Sequence, residues 1–199
     1  MYKLQHLSTR NASLRRALAL AGVTLAASAM ATVLAPGGTV PLHGTTLAAH
    51  PFLKATDLQD VNHPITLMTP GGPVPAMYHE RVAREVAAKT IDFYFWLEAV
   101  KKPIQADKIE VTLTNYKGFA TDVEYRTDGI GHTGPFQAQR DATGNKVTFT
   151  FRGVTIGNTA PTWTRASYIR TTSRVERQGG IATISVDGKP PATVKIFEP

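Results

Sequence analysis

His63, Met68, Met77 and His79 fall within seventeen residues of one another. Two imidazoles and two thioethers form a donor set that suits copper outside a reducing compartment. The residues belong to a stretch of ordinary loop composition, and His79 falls on the polar side of a predicted helix. They therefore serve a metal only if the tertiary fold gathers them. His50 offers a variant: a chain cut after Ala49 would chelate copper through its new amine and the His50 ring. That cut would put Leu47 where a processing site prefers a small residue.

A second spacing points elsewhere. "TDGIGHTGPF", residues 127–136, places Gly129, Gly131 and Gly134 as G-x-G-x-x-G. This loop cradles a pyrophosphate only when a strand feeds it and a helix leaves it, because the helix N-terminus supplies the amides and the dipole. Here Pro135 follows at once, with no room for a helix before the Gly144-Asn145 turn. A glycine-rich turn between antiparallel strands is the expectation, and no nucleotide is expected. The same loop holds His132, with Asp128 four residues earlier. Those two residues are the only basis for a cofactor-free hydrolase. No G-x-S-x-G elbow is present. The carboxylate pairs Asp57/Asp60 and Asp122/Glu124 read as solvation. The chain has no cysteine, which excludes disulfides, thiolate metal sites and a cysteine nucleophile.

The third constellation is basic and rich in hydroxyls: "APTWTRASYIRTTSRVER". A strand over 166–176 would line Tyr168, Arg170, Thr172 and Arg174 along one face and turn Ile169 and Val175 to the core. Trp163 and Arg165 would stand at its mouth. Guanidinium forks beside an aromatic ring bind carboxylates, phosphates or acidic sugars; a merely solvated sheet face has the same composition. Trp163, Arg165, Tyr168, Arg170 and Arg174 are the candidate binding residues, with His63, Met68, Met77 and His79 as the copper alternative.

The elements that must position these residues are mostly strands. "TIDFYFWLEAV" alternates Ile91, Phe93, Phe95 and Leu97 against Tyr94 and Trp96, and apolar residues on both faces mark a central strand. "KIEVTLTNY", "ATDVEYRT", the hairpin in "FQAQRDATGNKVTFTF" and "IATISVDGKPPATVKIF" turning at Asp187-Gly188 continue the pattern. Seven or eight short strands predict a mainly β domain over 76–199, an antiparallel β-sandwich, immunoglobulin-like by analogy through Trp96 on a central strand. Within that domain one short helix over 77–89 is expected ahead of the sandwich strands. Tyr78, Val82 and Val86 form its stripe, and Glu80–Arg84 and Glu85–Lys89 its i,i+4 pairs. Residues 32–75, rich in Pro, Gly and Thr, read as an extended arm with at most one short strand around 65–68.

Residues 1–31 carry an address. Lys3, Arg10, Arg15 and Arg16 precede an uncharged Ala/Leu/Val run and an Ala29-Met30-Ala31 site, the three parts of a cleavable secretory signal. Arg15-Arg16 partly matches the twin-arginine type. A periplasmic or secreted location is expected, with no stable membrane span after cleavage. Of the formal +7 charge, four positive charges lie in this segment; the remaining 18 Lys and Arg against 15 Asp and Glu leave +3. The basicity is largely the address, so no nucleic-acid partner is expected. The chain thus reads as an exported, non-catalytic binding or structural module without a cofactor, recognising a protein, a glycan or an anionic envelope component. A periplasmic copper protein and a cofactor-free hydrolase around His132 are the alternatives.

Overall fold

A computed structural model describes residues 32–157 and 163–199; the predicted signal lies outside the described residues. The described residues form twelve strands: β1 (Thr32–Val33), β2 (Thr39–Pro41), β3 (Ala55–Thr69), β4 (Gly72–Glu85), β5 (Ile91–Ala99), β6 (Ile104–Leu113), β7 (Thr121–Tyr125), β8 (Gln137–Arg140), β9 (Val147–Ile156), β10 (Ser167–Thr171), β11 (Arg177–Val186) and β12 (Ala192–Glu198). They pair into two six-stranded antiparallel sheets, ordered β1-β7-β10-β5-β4-β3 and β12-β11-β6-β9-β8-β2. The two sheets face each other across one apolar core, the layering of a β-sandwich.

Period two does most of this work. Along β5, Ile91, Phe93, Phe95, Leu97 and Ala99 enter the core. Phe149 and Phe151 of β9, Val111 of β6 and Ile184 of β11 meet them from the second sheet, with the Phe95 and Phe149 rings edge to face at 5.1 Å. Trp96 points the other way, away from this core, so the feature behind the immunoglobulin analogy belongs to the outer face. The β11–β12 hairpin turns at Asp187 and Gly188, both at positive φ, as a two-residue turn of matching twist requires.

The predicted helix over 77–89 is not formed. That segment is β4 and the turn after it, and the described helical content is one 3-10 turn, Pro51–Leu53. The reason is arithmetic: a spacing of four satisfies a helical stripe and a strand face alike. Val74, Ala76, Tyr78, Glu80 and Val82 alternate inward, and Val86 is exposed beyond the strand's end. The segment read as an extended arm is not an arm either. It supplies β1, β2 and the fifteen-residue β3, which pairs with β4 from Ala55↔Glu85 to Thr69↔Gly72. Pro64 is tolerated because β3 is an edge strand of the first sheet. Leu34 and Leu42, also from this segment, are buried in the core.

One buried cation ties the connections together. Arg140 donates to the carbonyls of Leu34, Tyr116, Phe119 and Gly144 and to the Thr121 hydroxyl. It meets no carboxylate among these partners, and burial pulls its pKa down.

Candidate functional site

The outer face of the first sheet is only partly solvated, because a segment of the chain covers it over β7, β10 and β5. After β2 the chain runs beside β7, where Thr45 bridges Arg126, and then crosses β10, β5 and β4 to enter β3. Strands about 4.8 Å apart make that crossing about 19 Å long. This strap, residues 42–54, is held at both ends. The Glu124 carboxylate accepts the His43 and Gly44 amides at 3.4 and 2.9 Å, and Asp128 accepts the Leu47 amide at 2.7 Å. At the far end the Val86 amide donates to the Lys54 carbonyl at 3.0 Å. Leu53 packs with Ala83, Tyr94 and Tyr168 in a small second core, and Phe52 lies under the Arg170 guanidinium at 4.0 Å.

Beneath the strap the sheet presents a row of charge. Arg170 of β10 pairs in register with Asp92 of β5 and Asp122 of β7. Its guanidinium bonds the buried Glu85 at 2.5 Å and Asp122 at 3.3 Å. Burial opposes the charge on Arg170, but the Glu85 bond and the surrounding acids outweigh it and raise its pKa. Asp92 is 0 % exposed and neither carboxyl oxygen has a hydrogen-bond partner among the described residues. Burial, with Glu85 second and Asp122 adding to it, lifts Asp92 to about 8 against the pull of Arg170. Asp92 therefore keeps its proton at neutral pH. Burial raises Asp122 as well and lowers His50, which is enclosed in the strap. The Tyr94 and Tyr168 phenols are pushed far up by the same desolvation.

Beside the strap the face opens into a cavity of about 410 Å³. Tyr94 and Trp96 form its floor. Leu53 and Lys54 of the strap stand on one wall and Ile130 of the 127–134 loop on another, with Arg81 and Arg126 at the rim. Trp96 stacks on His79 at 4.9 Å and carries the Arg81 guanidinium at 5.6 Å. Arg81 is shared with Asp60 at 2.5 Å and Asp57 at 3.6 Å, and Arg126 bonds Asp128 at 2.7 Å. Lys54 makes no ion pair among the described residues. The lining carries three cations against the single carboxylate of Asp57.

The residues singled out from sequence are dispersed. Tyr168 and Arg170 do turn away from the core while Ile169 enters it, but the strap covers them: Tyr168 is 0 % exposed. The strand ends at Thr171, so Val175 is not a core residue; it is 51 % exposed. Arg174 is exposed in the loop that follows. Arg165 works on the glycine loop, donating to the carbonyls of His132 at 3.1 Å and Thr127 at 2.8 Å. Trp163 forms an isolated bridge with Glu98. Gly131 stands at φ 74°, where a Cβ would lie 2.3 Å from the Thr164 carbonyl oxygen. The glycine spacing thus serves close backbone packing. His132 is exposed, while Asp128 is engaged by Arg126 and Leu47.

The copper candidates divide between two faces. His63 pairs in register with the core residue Tyr78 and bonds the buried Glu80 at 3.2 Å. His79, on the outer face, holds Asn62 at 2.6 Å and Glu98 at 2.7 Å. Met77 is paired with Pro64, while Met68 lies four residues, about 13 Å, farther along β3. His50 follows two strands that belong to the sheets, so a cut after Ala49 would strip Leu34 and Leu42 from the core. Nothing in sequence spacing singles out Lys54, Arg81 and Arg126, although the alternation of β5 puts Tyr94 and Trp96 on one face. No protein-family model matches the chain, and neither does any curated protein or solved structure.

Proposed function

We propose that the protein is an exported, non-catalytic binding module that holds an acidic sugar of an envelope glycan in the cavity between the strap and the glycine loop. The observation behind this reading is the lining: two aromatic side chains on a strand-built floor, ringed by Lys54, Arg81 and Arg126. A pyranose lies against aromatic carbon, and a guanidinium or ammonium takes its carboxylate. A volume of about 410 Å³ is in the range of small-ligand sites. The floor is rigid because β5 is flanked by β10 and β4.

The chain's two tryptophans make the test direct. In a Trp163→Phe background Trp96 is the sole indole, and its fluorescence reports the cavity. Titration with uronic-acid oligosaccharides should give a saturable change that neutral oligosaccharides do not. Lys54→Glu, at an exposed position, should weaken it on the order of tenfold or more, a rim cation having become a like charge. Identical responses to acidic and neutral sugars, or none to either, would overturn the proposal.

A further inference from the structure

A different surface points to a second partner. Three connections meet at one end of the sandwich: the β4–β5 turn (86–90), the β6–β7 connection (114–120) and the β10–β11 loop (172–176). Their contact is fixed by hydrogen bonds from two backbone amides, Ile91 N–H to the Ser173 carbonyl at 2.9 Å and Ala120 N–H to the Thr172 side-chain hydroxyl at 3.3 Å. Val86 is 46 % and Val175 51 % exposed, among the most exposed large apolar side chains described. Ala87, Ala88 and Ala120 are exposed with them. Lys89, Lys117 and Arg174, one on each of the three connections, are exposed and make no ion pair among the described residues. The acids nearby are occupied. Glu176 faces Arg84 at 4.0 Å, and Asp141 of the neighbouring turn is bonded by the Thr143 hydroxyl and the Lys146 amide.

We propose that this end of the molecule docks on an anionic lipid surface, with Val86 and Val175 entering the headgroup layer and Lys89, Lys117 and Arg174 meeting lipid phosphates. Lone exposed valines need no explanation, but two on touching loops, with three cations on the same connections that make no ion pair among the described residues, form a mixed patch. A polyanionic chain would engage the cations and leave the valines in water. A bilayer interface uses both, since apolar tips gain from leaving water while the negative surface potential attracts the cations. The loops are hydrogen-bonded to one another before contact, so little order must be imposed on binding.

The experiment is cosedimentation of the full chain with phosphatidylcholine vesicles and with vesicles that also contain phosphatidylglycerol, wild type and variants compared side by side. Wild type should favour the phosphatidylglycerol vesicles, and added salt should erase the preference. Removing each cation, as Lys89→Asn, Lys117→Ser or Arg174→Ser, should reduce partitioning about fivefold; asparagine suits the positive φ of Lys89. Val86→Asp with Val175→Asp should abolish the preference without changing the melting temperature. The proposal falls if these variants partition like wild type. It also falls if the valine variants bind as wild type while a soluble polyanion such as dextran sulfate competes fully, which would make the patch a polyanion site. Oligosaccharide binding in the cavity is read separately by Trp96, so either proposal can fail alone.

Discussion

Asp92 is the residue whose substitution tests the buried charge row most sharply. Asn keeps its shape and removes its titration. The group moves from 3.8 in a free chain to about 8 in the fold, a raised carboxyl. A raised group contributes its full stability below its unfolded pKa, and that contribution is lost as pH climbs to the folded value. Stability due to Asp92 is therefore greatest below about pH 4, falls by about 1.4 kcal/mol per unit, and levels off above about 8. At pH 7 the proton has been retained across about three units, at a cost of about 4 kcal/mol. That is a large share of the 5–15 kcal/mol typical of a domain, so about 4 kcal/mol should be visible in any denaturation experiment. Urea unfolding of wild type and Asp92→Asn, followed by tryptophan fluorescence from pH 5 to 9, gives the difference curve. Titration of His50, Asp122 and Glu80 largely cancels in that difference. The variant should gain on wild type steadily up to about pH 8 and then run parallel to it. A flat difference across that range would mean that Asp92 is ionised in the fold, compensated by Arg170, and that the desolvation argument is wrong.

The remaining expectations concern single contacts. Arg170→Ser should destabilise by about 3 kcal/mol, because it strands the buried Glu85 and uncovers Phe52, whereas Arg174→Ser should stay within about 0.5 kcal/mol; paired melting curves compare them. Gly131→Ala should cost about 3 kcal/mol in urea denaturation, since its Cβ would press on the Thr164 carbonyl at a left-handed position. Glu80→Ala should lower stability by about 1–3 kcal/mol, because the Glu80 carboxylate accepts the Phe197 amide at 2.7 Å across the open side of the sandwich; Glu80→Gln, which keeps a carbonyl acceptor, should restore part of it.

The strands were legible wherever burial is one-sided or complete. β5, β6, β9, β11 and β12 announce themselves because apolar residues two apart cannot share a helix face. The β3–β4 hairpin does not, for two physical reasons. The spacing of Tyr78 and Val82 fits either period, and the inward partner between them is Glu80, a charge where a core residue would be expected. The sequence cannot show that Glu80 is satisfied by Phe197 and His63, residues that are distant or on another strand. Likewise Pro64 and the bulge between Asp57 and Gln59 break the pattern of β3, and they are tolerated because β3 lies at a sheet edge.

The site was half legible, and the missing half explains its geometry. Alternation correctly turned Tyr168 and Arg170 away from the core. It could not tell whether that face meets water, because the cover comes from residues 42–54, whose few apolar side chains carry no period. A strap resting on a purely apolar layer could slide, since hydrophobic contact has no direction. This one lies over directional partners. Glu124 fixes two of its amides, Asp128 a third, and Arg170 holds Phe52 while spanning Glu85 and Asp122. Replacing such a polar layer with apolar residues commonly leaves stability unchanged or improved. Its contribution is position, and the position matters because Leu47, Leu53 and Lys54 of the strap also wall the cavity. The buried charges therefore reach the proposed ligand indirectly, by deciding where Lys54 stands over Tyr94 and Trp96.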